Sequence, residues 1–334
     1  MAILEVERLT KKYGDLIAVN QISFRVEEGE IFGFLGPNGA GKTTTILMLT
    51  TLLRRSDGQA RLGGYEIDRH PARVRSLVGY VSQETAVDEF LTGRENLWLH
   101  GRFYHIRSAP LRDRVSEVAA MVDLSDRLDD LVSTYSGGMR KRLDIAGGLL
   151  HRPQLIFLDE PTLGLDIQTR RKIWEYVLQL RREGLTVFLT THYMEEADQL
   201  CDRVAIIDEG ELKALDSPQK LKAQLGGDVI TVVLADSSET ASGQAREVFS
   251  GLDCISRVEA SPQGFVLISP NADSVIPRLV RAATERGLGI DSVTLKRPTL
   301  EDVFLDHTGR ALREEEGGSD AFRRMARGVR QARR

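Results

Sequence analysis

The chain has 334 residues, 45 of them Lys or Arg and 49 Asp or Glu, for a formal charge of −4, so no basic excess points to nucleic acid and no nucleic-acid partner is expected. With 41% apolar and 28% charged residues the composition is that of a globular protein, and at about 100–200 residues per domain it suggests two or so domains. A membrane-spanning helix needs about 20 apolar residues, whereas apolar runs such as residues 31–35 and 204–207 are broken within a few positions, so the chain is not expected to cross a membrane. Its start, MAILEVERLTKKYG, interleaves charges with single apolar residues and lacks the continuous apolar stretch of a signal peptide, which predicts a cytosolic chain. Cys201 and Cys254 stand far apart with no CxxC spacing or paired histidines, so both are read as packing residues rather than a disulfide or zinc site.

In chain order, residues 2–8 and 18–26 alternate apolar and polar like half-buried strands, and 31–35 (IFGFL) reads as a buried parallel strand. Residues 43–53, rich in Leu, Ile and Met without Gly or Pro, predict a helix. Leu111, Val115, Val118 and Val122 share one helical face, so 109–123 is an amphipathic helix within a helical insert of about 84–150. Strands at 155–158, 185–189 and 204–207, with a helix at 168–182 between the first two, predict a parallel sheet and an α/β core. The pattern breaks at residues 225–228. Beyond it come strand 229–234, helix 241–250, strands 254–260 and 264–269, helix 272–286 and strand 290–296. That β-α-β-β-α-β order fits a small α+β domain of the split βαβ type. The expected organisation is therefore 1–225, 226–310 and a tail 311–334.

Residues 36–43, GPNGAGKT, satisfy GxxxxGK[ST] between a buried strand and a helix. Glycines let consecutive backbone N–H groups turn inward around phosphate oxygens, and the helix N-terminus adds its dipole. Gly36, Pro37, Asn38, Gly39, Ala40, Gly41, Lys42, Thr43 and Thr44 are thus candidate nucleotide-binding residues. Lys42 would reach the β and γ phosphates and the Thr43 hydroxyl would ligate Mg²⁺, which makes the ligand a nucleoside triphosphate, with ATP the expected one.

LIFLDEP, residues 155–161, places Asp159 and Glu160 at the carboxyl end of a buried strand, where parallel sheets bind ligands. Asp159 is a candidate metal carboxylate and Glu160 a candidate base for an attacking water; a solvated acid pair at a turn is the alternative.

Between these motifs, TYSGGMRKR puts Ser136, Gly137 and Gly138 at the start of a helix whose face carries Met139, Leu143, Ala146 and Leu150. Here the chain resembles the ATP-binding cassette (ABC) ATPases. The resemblance covers about residues 2–217 and implies the P-loop NTPase fold with a helical insert. It also implies a head-to-tail homodimer in which Ser136, Gly137 and Gly138 meet the γ-phosphate held by the other subunit. Tyr13 resembles the aromatic that stacks on adenine. Gln83 resembles the glutamine that touches Mg²⁺ and the attacking water and couples the insert to a membrane partner. Leu163–Asp166 stands where the family has its dimer-contact loop, with Asp166 as its site residue, and His192 in FLTTHYMEEAD resembles the switch histidine. The signature reads YSGGM rather than LSGGQ, and Gly164 stands where many members have Ala.

KRPTLEDVFLDHTGR, residues 296–310, resembles the end of the daunorubicin-resistance type of ABC ATPase. That resemblance implies a subunit at the cytoplasmic face of the membrane, energising export through a separate integral permease. An importer ATPase with a C-terminal small-molecule sensor and a soluble ABC protein are the alternatives. Thr299 is positioned to cap a short helix carrying Val303, Phe304 and Leu305. Residues 321–334 hold six arginines and no acid, which suits either a membrane-surface segment or a solvated tail.

Overall fold

The computed structural model describes residues 1–308 apart from 237, 254, 262 and 263. The expectations for Cys254 and for the tail 311–334 lie outside the described residues. Two compact units divide the chain between Ser217 and Pro218.

The first unit holds two sheets. The expected strands 2–8 and 18–26 are longer than their alternation showed. Ala2–Tyr13 and Leu16–Glu27 form an antiparallel pair, extended by Asp57–Leu62 and Tyr65–Glu66, so they do not join the parallel sheet. The second sheet runs Glu211–Asp216, Arg203–Asp208, Ile31–Leu35, Thr186–Thr191, Leu155–Asp159 and Val78–Val81, parallel except at the Glu211–Asp216 edge. Its central strands are buried at every position, the pattern of a sheet covered on both faces. Val78–Val81 carries only two β-branched residues beside Gly79 and Tyr80, too short a signal for periodicity to find.

The helix after the phosphate loop spans Lys42–Leu49, shorter than the expected 43–53, because Thr51 takes a left-handed φ of 64° that closes it. The insert contains helices Gly93–Phe103, Ser108–Met121 and Gly137–Leu149. Helix Ile167–Arg182 follows strand Leu155–Asp159.

The sheets pack through aromatic rings. Phe188 lies at the centre, with ring centroids of Phe157, Phe32, Phe34 and Phe24 at 5.2, 5.4, 5.5 and 6.1 Å. Phe24 of the antiparallel sheet stacks on Phe32 of the other at 5.4 Å. Such offset and tilted rings add to the burial of their area.

The second unit has strands Asp228–Leu234, Arg257–Ser261, Gly264–Ser269 and Ile290–Lys296 in one antiparallel sheet, with Asp228–Leu234 between Ile290–Lys296 and Gly264–Ser269. Helices Glu239–Ser250 and Ala272–Glu285 supply Ala245, Phe249, Val275, Leu279 and Ala283 to its core. This is the split βαβ order expected from the sequence. Helix Pro218–Ala223 goes with this unit, packing on helix Leu300–Thr308, so the division falls before the glycine break at 225–228. Thr299 caps the latter helix: its Oγ1 accepts from Asp302 N at 3.2 Å, and its own N donates to Asp302 Oδ2 at 2.9 Å.

Phe188→Ala removes the ring shared by both sheets. It is expected to lower unfolding free energy by about 3–5 kcal/mol, measured by urea denaturation.

Candidate functional site

Four adjacent parallel strands end at one edge of the second sheet. Ile31–Leu35 runs into Gly36, Thr186–Thr191 into His192, Leu155–Asp159 ends on Asp159 itself, and Val78–Val81 leads to Gln83. Leu35 is level with Thr191, Asp159 with Thr190, and Val81 with Leu158. Register therefore brings residues distant in sequence to the carboxyl edge, where parallel sheets bind ligands.

The phosphate loop is tight. A Cβ on Gly36 would stand 2.3 Å from Ile207 O, and one on Gly41 2.5 Å from Ala18 O. Gly41 (φ 101°) and Gly39 (φ 82°) both adopt left-handed backbone, and Gly39 and Asn38 are exposed. Ala40 N donates to Pro37 O at 3.2 Å, and Ala40 O accepts from Gly210 N at 3.1 Å. Helix Lys42–Leu49 begins without a side-chain cap, so its first amides face the loop unmatched by any local acceptor side chain. Thr43 is partly exposed and Thr44 buried.

Lys42 is buried, its Nζ donating to Gly36 O at 2.7 Å and Pro37 O at 3.0 Å and pairing with Glu160 Oε1 at 3.0 Å. Glu160 has a left-handed φ of 47°, a strained conformation for a non-glycine residue. Its N–H is shared between Thr190 O at 3.1 Å and Thr190 Oγ1 at 3.0 Å. Glu160 Oε2 meets His192 Nδ1 at 2.9 Å. Burial raises the Glu160 carboxyl, but the His192 hydrogen bond and the Lys42 charge outweigh it, and the group lies below its ordinary value.

Asp159 is fully buried and accepts from Thr190 Oγ1 at 2.5 Å through Oδ1, while Oδ2 has no hydrogen-bond partner among the described residues. Burial pushes its carboxyl up, with the Thr190 and Thr43 hydroxyls pulling the other way. A buried carboxylate oxygen left without a donor, beside a threonine hydroxyl that opens onto the phosphate loop, fits a hard divalent cation such as Mg²⁺. Sequence reasoning missed Thr190, which serves both acids. The TT pair closing an apolar strand is the signal that could have found it.

Tyr13 is half-buried beside Thr44, its hydroxyl pushed up by burial, with Lys11 Nζ 4.9 Å from its ring centroid. Gln83 is exposed, and its loop is anchored by a residue that the sequence did not single out: buried Lys141 donates to Ser82 O at 2.7 Å and Gln83 O at 3.3 Å. Its signal was a charge beside the buried positions of the signature helix.

The SGG segment opens helix Gly137–Leu149, with Ser136 and Gly137 exposed and Gly138 buried. Ser136 caps its own helix, its Oγ accepting from Met139 N at 3.2 Å. Gly138 lies against the contact-loop helix, where a Cβ would stand 2.2 Å from Thr169 Cγ2. Asp166 caps that helix, accepting from Thr169 N at 2.9 Å and Oγ1 at 2.6 Å, so its carboxylate is engaged locally. Gly164 has φ 73°, which accounts for glycine at this position. Gly138 and Asp166 thus meet at Thr169, while Ser136 is engaged by Met139 of its own helix.

Residues 19–163 match the ABC transporter family, and 217–308 match the ATP-binding protein DrrA1-3-like, C-terminal domain. The chain is 41% identical to a daunorubicin resistance ATP-binding protein of Streptomyces coeruleorubidus over 308 residues, covering 92% of this chain and 96% of the relative. The chain belongs to the ABC transporter ATP-binding proteins. This ABC ATPase is also 38% identical to a linearmycin resistance ATP-binding protein of Bacillus subtilis, over 93% of the chain and 100% of the relative. Its fold matches part of an ABC transporter complex from Clostridium perfringens with a TM-score of 0.63 and 26% identity, covering 67% of this chain and 92% of that one.

In the ATPase, Gly36→Ala forces a methyl against a backbone carbonyl. It is expected to cost about 1–3 kcal/mol and to weaken ATP binding, read by thermal unfolding with and without nucleotide. Gly39→Ala, with open space around the added methyl, is expected to cost only the left-handed strain of about 1–2 kcal/mol.

Proposed function

We propose that this chain is the ATP-hydrolysing subunit of an exporter for a drug, antibiotic or lipid-like molecule. It works as a homodimer at the cytoplasmic face of the cell membrane, bound to a separate integral permease. The observation that carries the catalytic part is the contact series Lys42–Glu160–His192 at the carboxyl edge of the sheet, with Lys42 and Glu160 buried. Resistance to daunorubicin and linearmycin in the relatives supports the exporter, and among the described residues no helix is long and apolar enough to cross a membrane, which fits a peripheral subunit.

In this reading the amides of Gly39, Gly41 and the first turn after Lys42 bind the triphosphate. Lys42 exchanges its Glu160 partner for the β and γ phosphate oxygens. Thr43, Asp159 and Gln83 are the residues that would hold Mg²⁺, and the metal would supply positive charge to the phosphates. Glu160, released by Lys42, accepts the proton of the attacking water. His192 keeps the carboxylate aimed, as an oriented base requires. Tyr13 stacks on the adenine. The exposed Gly137 amide and the Ser136 helix start serve the phosphate bound by the other subunit, and Asp166 shapes the contact loop that sits between the two. Nucleotide hydrolysis belongs to the unit ending at Ser217, and the second unit is an accessory domain.

Glu160→Gln keeps the side chain's shape and removes the base. Turnover of Mg²⁺-ATP is expected to fall about 10²-fold or more while ATP binding persists, and to leave a stable ATP-bound dimer on gel filtration. Turnover at the parent rate would show that Glu160 is not the base.

A further inference from the structure

Glu196 plays no part in the catalysis described above, yet it is fully buried in helix Met194–Leu200, where its neighbours Ala197 and Leu200 make apolar contacts. A buried carboxyl is costly unless its oxygens are matched. Glu196 Oε1 accepts from Thr162 Oγ1 at 2.8 Å and from Trp174 Nε1 at 2.9 Å. Burial pushes the carboxyl up, while Thr191, Thr162, Trp174 and Arg170 pull it the other way. Oε2 has no hydrogen-bond partner among the described residues. The groups that act on the carboxyl come from three segments. Thr162 follows Glu160 in the turn after the acidic strand, Trp174 and Arg170 belong to the helix capped by Asp166, and Thr191 precedes His192. A second tie runs parallel to the first: the Arg170 guanidinium sits 4.0 Å from the Tyr193 ring centroid, and that ring lies 4.1 Å from His192.

We propose that Glu196 is a positioning residue for ATP hydrolysis, its carboxyl joining the helix of the dimer-contact loop to the turn after Glu160, in parallel with the Arg170–Tyr193–His192 stack. The base and its histidine then hold one arrangement relative to the loop that meets the other subunit. Movement of that loop is transmitted to the reacting groups through a buried hydrogen-bonded junction rather than through solvent. The proposal rests on the assignment of Glu160 and His192 made above.

The test is steady-state Mg²⁺-ATP hydrolysis by the full chain. Glu196→Met fills the space without accepting hydrogen bonds. It is expected to lower kcat by about 10- to 100-fold with KM for ATP within about twofold, because misplacement of a base by a fraction of an ångström slows the chemistry and not the binding. Glu196→Gln retains a carbonyl oxygen for Thr162 and Trp174 and is expected to stay within about threefold of the parent kcat. The chain has 2 tryptophans, so in a Trp98→Phe background the emission reports Trp174 alone. It should shift in Glu196→Met and not in Glu196→Gln. Parent kcat in Glu196→Met, loss of ATP affinity in proportion to kcat, or a Glu196→Gln variant as impaired as Glu196→Met would each overturn the proposal. Should Glu196→Met not fold, Trp174→Phe, which cuts only the tie to the contact-loop helix, carries the same expectation of lower kcat at unchanged KM, and parent kcat there overturns it. A turning-over Glu160→Gln would remove the base assignment itself, whereas parent turnover in Glu196→Met beside an inactive Glu160→Gln removes only the junction.

Discussion

A lysine and a glutamate, both nearly inaccessible to water, face each other at 3.0 Å where the sheet opens, and the rest of the site is arranged around that contact. Neither charge could be buried alone without a large desolvation cost. Lys42 is stabilised by two loop carbonyls as well as by Glu160, and Glu160 by His192 and a bifurcated backbone bond to Thr190. The groups that stabilise this buried pair are those an incoming triphosphate can redistribute. A phosphate offers Lys42 more charge than one carboxylate does, so binding can take the lysine and leave the glutamate with its histidine.

The fold follows from how the edge is built. All-buried strands such as Ile31–Leu35, Leu155–Asp159 and Thr186–Thr191 need cover on both faces, and the ring cluster around Phe188 gives one face of the core its aromatic filling. Glycines at 36 and 41 let the loop lie against neighbouring backbone, where any side chain would clash. Rigidity below the loop and strain at Glu160 belong together: the left-handed residue persists because Thr190 and the adjoining strands over-determine its position.

Much of this was legible in the residues. Strands with continuous apolar runs and helices with a clean 3.6 period, such as Ser108–Met121, stood out, because burial writes itself into local pattern. The phosphate loop, the acid pair and His192 were found by motif and by their place after apolar strands. What stayed hidden depends on tertiary partners. Val78–Val81 is a strand because Leu155–Leu158 pairs with it, and no local signal marks it. The antiparallel pairing of Ala2–Tyr13 with Leu16–Glu27 rests on a tight turn through Gly14, not on a longer alternation. Lys141, Thr190 and Glu196 looked like ordinary helix or strand residues, since their work is hydrogen bonding to segments far away in sequence. Ser136 and Asp166 were identified by motif, but their engagement as helix caps became visible only with the backbone in place.

In the proposed mechanism nucleotide and Glu160 compete for Lys42. A crystal structure of the unmodified chain with Mg²⁺ and a non-hydrolysable ATP analogue tests it most directly. Lys42 Nζ, 3.0 Å from Glu160 Oε1 here, is expected to move out of hydrogen-bond reach of it and onto phosphate oxygen, while the 2.9 Å contact between Glu160 and His192 survives. An intact Lys42–Glu160 pair with the triphosphate seated in the loop would contradict it.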